Sequence, residues 1–129
     1  MRALHWRGFW LSGGAALVLF VTYLCLRPST GGEQLFPNAD KLHHAVAFFA
    51  LAGLALALVE RRHYRVVCGA LIVFGGTIEV AQYLVPYGRS AEWADLAADA
   101  LSVALAALAS LAIRESWLQR IERWVGARG

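Results

Sequence analysis

Asp40, Lys41 and His44 bring a carboxylate, an ammonium and an imidazole to the head of an otherwise apolar stretch. Spacings of four and three residues put all three on one face of a helix. Lys41 is the sole lysine beside eleven arginines. Further on, Glu79 and Gln82 lie three apart within another apolar stretch. Asp95 and Asp99 lie four apart at the head of a third, with Ser102 three beyond on the same face, and Arg89 sits in the segment between. Cations at helix N-termini can hold an anionic headgroup or a pyrophosphate. Carboxylates beside them can orient those cations, bind a hard divalent ion or accept a proton. His44, Glu79 and Asp99 are the candidate catalytic groups. Asp40, Lys41, His44, Glu79, Gln82, Arg89, Asp95 and Asp99 together are the candidate ligand-binding set.

The elements that must position these residues follow from composition. The 129 residues suffice for a single domain. They are 59% hydrophobic and 16% charged, with a mean hydropathy of +0.52. Soluble domains carry about a quarter charged residues, so the composition predicts an integral membrane protein. Four stretches nearly free of charge, about 8–26, 42–59, 66–85 and 96–113, are each long enough to cross a bilayer as a helix at ~1.5 Å per residue. The fold class expected is all-α, a four-helix transmembrane bundle with residues 114–129 as an amphipathic helix in the membrane surface. The rival for that tail is a continuation of the fourth span. A cleavable signal peptide at 8–26 is the lesser reading, because no small-x-small cleavage site follows.

Orientation comes from the arginines. Arg2, Arg7, Arg61, Arg62, Arg65, Arg114, Arg120, Arg123 and Arg128 fall on one side, and Arg27, Lys41 and Arg89 on the other. The positive-inside rule then places both termini in the cytoplasm. The polar set enters from the outer side, with Glu79 ~9 Å below the outer end of its span. Ionisable groups within a span cost ~2.5–3.5 kcal/mol each on insertion scales, so they face a bundle interior or wet cavity. The expectation is an outward-facing polar pocket between the second, third and fourth spans. Shifting the chain by 55 residues lays Asp40 on Asp95 and His44 on Asp99, which points to a duplicated two-helix unit.

Plainer roles are open to each residue. Asp40 and Asp95 sit where helices begin and can act as N-caps worth about 1 kcal/mol each. Lys41 can snorkel to the headgroups. Gln82 can join helices at ~0.6 kcal/mol, and Arg89 can anchor at the interface. Glu79 and Asp99 can pair internally with Lys41, His44 or Arg89. Cys25 and Cys68 fall near opposite faces and cannot form a disulfide, which needs Cα atoms within roughly 7 Å. The arginines flank spans and form no stripe, so no nucleic-acid partner is expected. There is no Cys/His zinc spacing, no G-x-S-x-G, no P-loop and no dinucleotide fingerprint. Motifs therefore assign no metal and no cofactor.

The ordered set Asp40-Lys41-x-x-His44 with Phe48 or Phe49, Glu79-x-x-Gln82, and Arg89 before Asp95 resembles the VanZ-like membrane proteins, over about residues 40–108. Where that family usually shows Asp-x-x-x-Asn and then Gly, this chain has Asp99 and Ser102. The resemblance implies a multi-pass protein of the bacterial cytoplasmic (inner) membrane and a link to glycopeptide (teicoplanin) sensitivity. It marks Asp40, Lys41, His44, Glu79, Gln82, Arg89 and Asp95 as a functional cluster without assigning individual roles. The function expected is binding of an anionic lipid or lipid-linked cell-envelope precursor at the outer leaflet. Two other readings stand beside it. One is an enzyme acting on a phosphate-bearing lipid headgroup, with His44 or Glu79 as base. The other is a structural bundle whose polar groups pair internally.

Overall fold

A computed structural model describes residues 2–27, 39–84, 93–113 and 115–126, the side chains of residues 39 and 40 excepted. Five α-helices follow in order: α1 (Arg7–Leu26), α2 (Ala39–Leu58), α3 (Tyr64–Leu84), α4 (Trp93–Ala112) and α5 (Trp117–Gly126). The first four are long and apolar enough to cross a membrane. Helices satisfy every interior backbone group within the segment, which hydrocarbon surroundings demand.

Local chemistry explains the ends. Arg27 precedes Pro28 and closes α1 in an extended conformation, φ −61° and ψ 144°. A proline pushes its predecessor out of the α region. Between α2 and α3 the chain turns through extended Glu60 and a single 3₁₀ turn, Arg61–His63. α2 and α4 begin three residues ahead of the apolar spans read from the sequence, because Lys41 and Asp95 belong to their first turns. The fourth helix stops at Ala112, and α5 is a separate element.

α2 is the central helix, packed most extensively on α4 and also against α1 and α3. Phe48, Leu51, Ala52 and Leu56 share one core with Val21, Leu71, Ile78, Val103 and Ala106. Small residues such as Ala52 and Ala106 let helices approach closely. The bundle is inverted relative to a water-soluble one. Leu19, Val66, Val73, Leu101 and Leu108 are exposed, whereas His44, Glu79, Gln82, Asp95, Asp99 and Ser102 are buried. In water this would leave large apolar patches uncovered; in hydrocarbon it is the favourable arrangement.

The two ends of the bundle differ. At one, the Arg2 backbone N–H donates to the Leu58 carbonyl at 3.1 Å. Its guanidinium donates to the Val59 carbonyl at 2.8 Å and to the Tyr64 hydroxyl at 3.0 Å. Arg61 donates to the carbonyls of Leu111 at 3.0 Å and Ile113 at 2.7 Å. It thereby satisfies acceptors that the end of α4 leaves open. Trp10 ties α1 to α5. Its indole N–H donates to Glu122 of α5 at 2.8 Å and its ring stands edge-on to Trp117 at 6.1 Å. Leu118 of α5 is wholly buried against Ala57 and Leu58. The opposite end holds the polar residues.

Candidate functional site

Four helix ends meet at the polar end. α2 and α4 start there, running parallel, and α1 and α3 finish there. Lys41 Nζ of α2 lies 3.3 Å from Asp95 Oδ1 of α4. One turn deeper, His44 Nδ1 lies 3.5 Å from Asp99 Oδ1. Two successive contacts between the same helices fix their register and hold the charged groups at matched depth. Lys41 keeps about a quarter of its side chain exposed, whereas Asp99 has none of its surface accessible. The pairs therefore grade from a half-open ion pair to a closed one. Exposed pairs contribute ~0–1 kcal/mol, while orphaning one member of a buried pair costs ~3–5 kcal/mol.

α3 adds Glu79 and Gln82, both buried and one turn apart. One donor atom each from His44, Glu79 and Asp95 lies within 4.8 Å of the others, so three helices supply one compact group. Gln82 Nε2 donates to the Cys25 carbonyl of α1 at 2.8 Å, tying the end of α3 to the end of α1. Gln82 is thus a helix-to-helix link, and the Cys25 side chain flanks His44 from the same side. Ser102, also buried, donates to the Ala98 carbonyl within its own helix at 2.8 Å. Arg89 lies outside the described residues, and so does the side chain of Asp40. Cys25, buried, and Cys68, half-buried, form no disulfide.

Two contributors were not singled out from sequence. Gly75 of α3 is one. A methyl group there would stand 2.9 Å from Asp99 Oδ2 and 3.3 Å from the Phe48 ring. Any side chain there would force the Asp99 carboxylate to shift and press on the Phe48 ring. Phe48 itself is fully buried and packs on Phe74 at 5.8 Å, while Phe49 faces outward. The other contributor is the end of α1. A groove of about 470 Å³ opens between α1 and α2, walled by apolar residues including Leu17, Phe20, Val46 and Ala47. It ends at Arg27, His43 and His44. Between the second, third and fourth helices, His44, Glu79, Asp95 and Asp99 form one buried polar cluster among the described residues. The groove adjoins that cluster on the α1 side, where His44 lines it.

Chemically, this end can hold an anion at its rim through Arg27 and Lys41. Its interior concentrates an imidazole and carboxylates out of water, where their interactions are weakly screened. Compared with known protein families, characterised proteins and solved structures, the chain matches none.

Proposed function

We propose that this chain is a VanZ-like multi-pass protein of the bacterial cytoplasmic membrane that binds an anionic lipid or lipid-linked envelope precursor from the outer leaflet. Both termini lie in the cytoplasm on this reading, and α5 rests in the inner membrane surface. In support, the N-terminal segment, the Arg61–His63 turn and α5 share one end of the bundle. α5 also leaves Trp117, Ile121, Trp124 and Val125 exposed beside its buried Leu118. Influence on glycopeptide sensitivity would follow from sequestering such a precursor.

The observation that carries the binding reading is the groove between α1 and α2. Its walls match an acyl chain, and its mouth offers the exposed Arg27 with two imidazoles next to the Lys41–Asp95 pair. Its volume lies within the ~300–1,000 Å³ common for small-molecule sites. The test is native mass spectrometry of the detergent-purified chain. An anionic lipid should be retained, and Arg27→Ala and Lys41→Ala should each weaken retention roughly five-fold, matching ~1 kcal/mol per basic group at an anionic surface. Retention that ignores both substitutions and added salt sinks the reading.

One observation favours an enzymatic alternative. His44 is oriented by a buried carboxylate at 3.5 Å, the arrangement of a general base and its positioning partner. On that reading, His44→Ala and Glu79→Gln abolish turnover of a phosphate-bearing headgroup while lipid retention persists.

A further inference from the structure

We propose that His44, Glu79 and Asp95 form a binding site for a divalent transition-metal ion, with Asp99 as the positioning residue that orients the imidazole. Each of the three residues is buried, and each comes from a different helix. Their donor atoms lie within 4.8 Å of one another, so all three fit inside a circle of radius about 2.8 Å. Metal–ligand bonds of ~2.0–2.2 Å then require a closure of well under 1 Å per side chain. Rotamer adjustment of a carboxylate supplies that much.

An independent observation points to a ligand. His44 is buried, and its Nε2, the ring nitrogen not facing Asp99, has no hydrogen-bond partner among the described residues. Buried polar groups are almost always satisfied, and exceptions call for an ion or another explanation. The 3.5 Å contact between Asp99 Oδ1 and His44 Nδ1 is longer than a normal hydrogen bond and sets a carboxylate beside one ring nitrogen. A carboxylate on one imidazole nitrogen fixes the tautomer that presents the other nitrogen as a ligand. Gly75 makes room for that carboxylate.

The donor set selects the ion. One imidazole with two carboxylates suits Mn²⁺, Fe²⁺ or Zn²⁺ better than Mg²⁺ or Ca²⁺, which take oxygen alone. No spacing motif announces the site, because its ligands are separated by 35 and 16 positions in the chain. Lys41 holds Asp95 from the rim side, so the ion would sit on the inner side of that ion pair.

The test uses the full-length chain in detergent, stripped with EDTA and delipidated, so that it does not depend on the lipid reading. Titration calorimetry with Mn²⁺ and with Zn²⁺ should give saturable binding of one ion per chain for at least one of them. Asp99→Asn should weaken binding by about 10–100-fold, as loss of an orienting partner does, and His44→Gln and Glu79→Gln by more. The Zn²⁺-loaded protein should show an X-ray absorption spectrum of one imidazole with oxygen ligands. Thermal unfolding of the metal-free variants identifies any that fail to fold, and Asp95→Asn then substitutes for the failed ligand variant. Absence of one-per-chain binding by either ion overturns the proposal. So does wild-type affinity in folded His44→Gln or Glu79→Gln, or a zinc shell containing sulfur.

Discussion

His44 of α2 and Asp99 of α4 face each other across the bundle with Nδ1 and Oδ1 3.5 Å apart, both buried, one turn below the Lys41–Asp95 pair. Two apolar helices are thereby locked in parallel register by polar side chains. Hydrocarbon surroundings provide little apolar driving force between helices, so packing and such polar contacts specify which helices associate.

Removal of the imidazole should leave Asp99 without its counterpart. In EDTA, His44→Ala is expected to lose about 3 kcal/mol or more of stability, the range for an orphaned buried partner. Adding Asp99→Asn in that background should recover about 1 kcal/mol or more, since a neutral amide is cheaper to bury than a carboxylate. Unfolding in detergent, read by circular dichroism over the double-mutant cycle, checks this; strict additivity refutes the coupling.

Gly75 and Gly76 offer an internally controlled comparison. Gly75→Ala forces a methyl group to 2.9 Å from Asp99 Oδ2 and should cost about 1–3 kcal/mol. Gly76→Ala meets nothing within 4 Å and should be neutral or slightly stabilising through helix propensity. Equal effects at the two positions, measured by thermal unfolding, would show that the carboxylate is not confined by α3.

Filling the groove should displace its occupant. Ala50 lines the space between α1 and α2 and is exposed there. Ala50→Trp should therefore eliminate lipid retained through purification while leaving the unfolding temperature within a few degrees. Unchanged retention, quantified by mass spectrometry, would place the lipid elsewhere on the bundle.

At the opposite end, Glu122 should confer acid sensitivity. Burial acts to raise its carboxyl, but the backbone N–H groups of Trp6 and His5 and the Trp10 indole outweigh this and hold it below its ordinary value of 4.5. These donors lie at 2.9, 2.7 and 2.8 Å. A lowered folded value means that the contribution is fully present above pH 4.5 and is lost as pH falls further, when the protonated acid gives up these acceptor contacts. Tryptophan fluorescence from Trp10 and Trp117 should change in that acid range in the wild type. Glu122→Gln should abolish that step, and a persisting step would assign it to another group.

Much of the architecture is legible one helix at a time. Apolar runs of bilayer length and the breakers between them determine where α1 to α4 lie. The three- and four-residue spacings of Lys41 with His44, Glu79 with Gln82, and Asp95 with Asp99 determine which groups share a face. Even the 55-residue offset between His44 and Asp99 is written in the chain. These properties depend only on helical geometry, which each segment carries within itself. Which face meets which neighbour was decided by the tertiary structure alone. It brought Cys25 of α1 and the adjoining Arg27 to the site, opened the groove on that side and made Gly75 the gap into which Asp99 fits. It also docked Glu122 against a segment more than a hundred residues away. Those relations arise from close packing among four similar apolar helices, whose hydropathy is nearly the same in every pairing and so distinguishes none of them in advance.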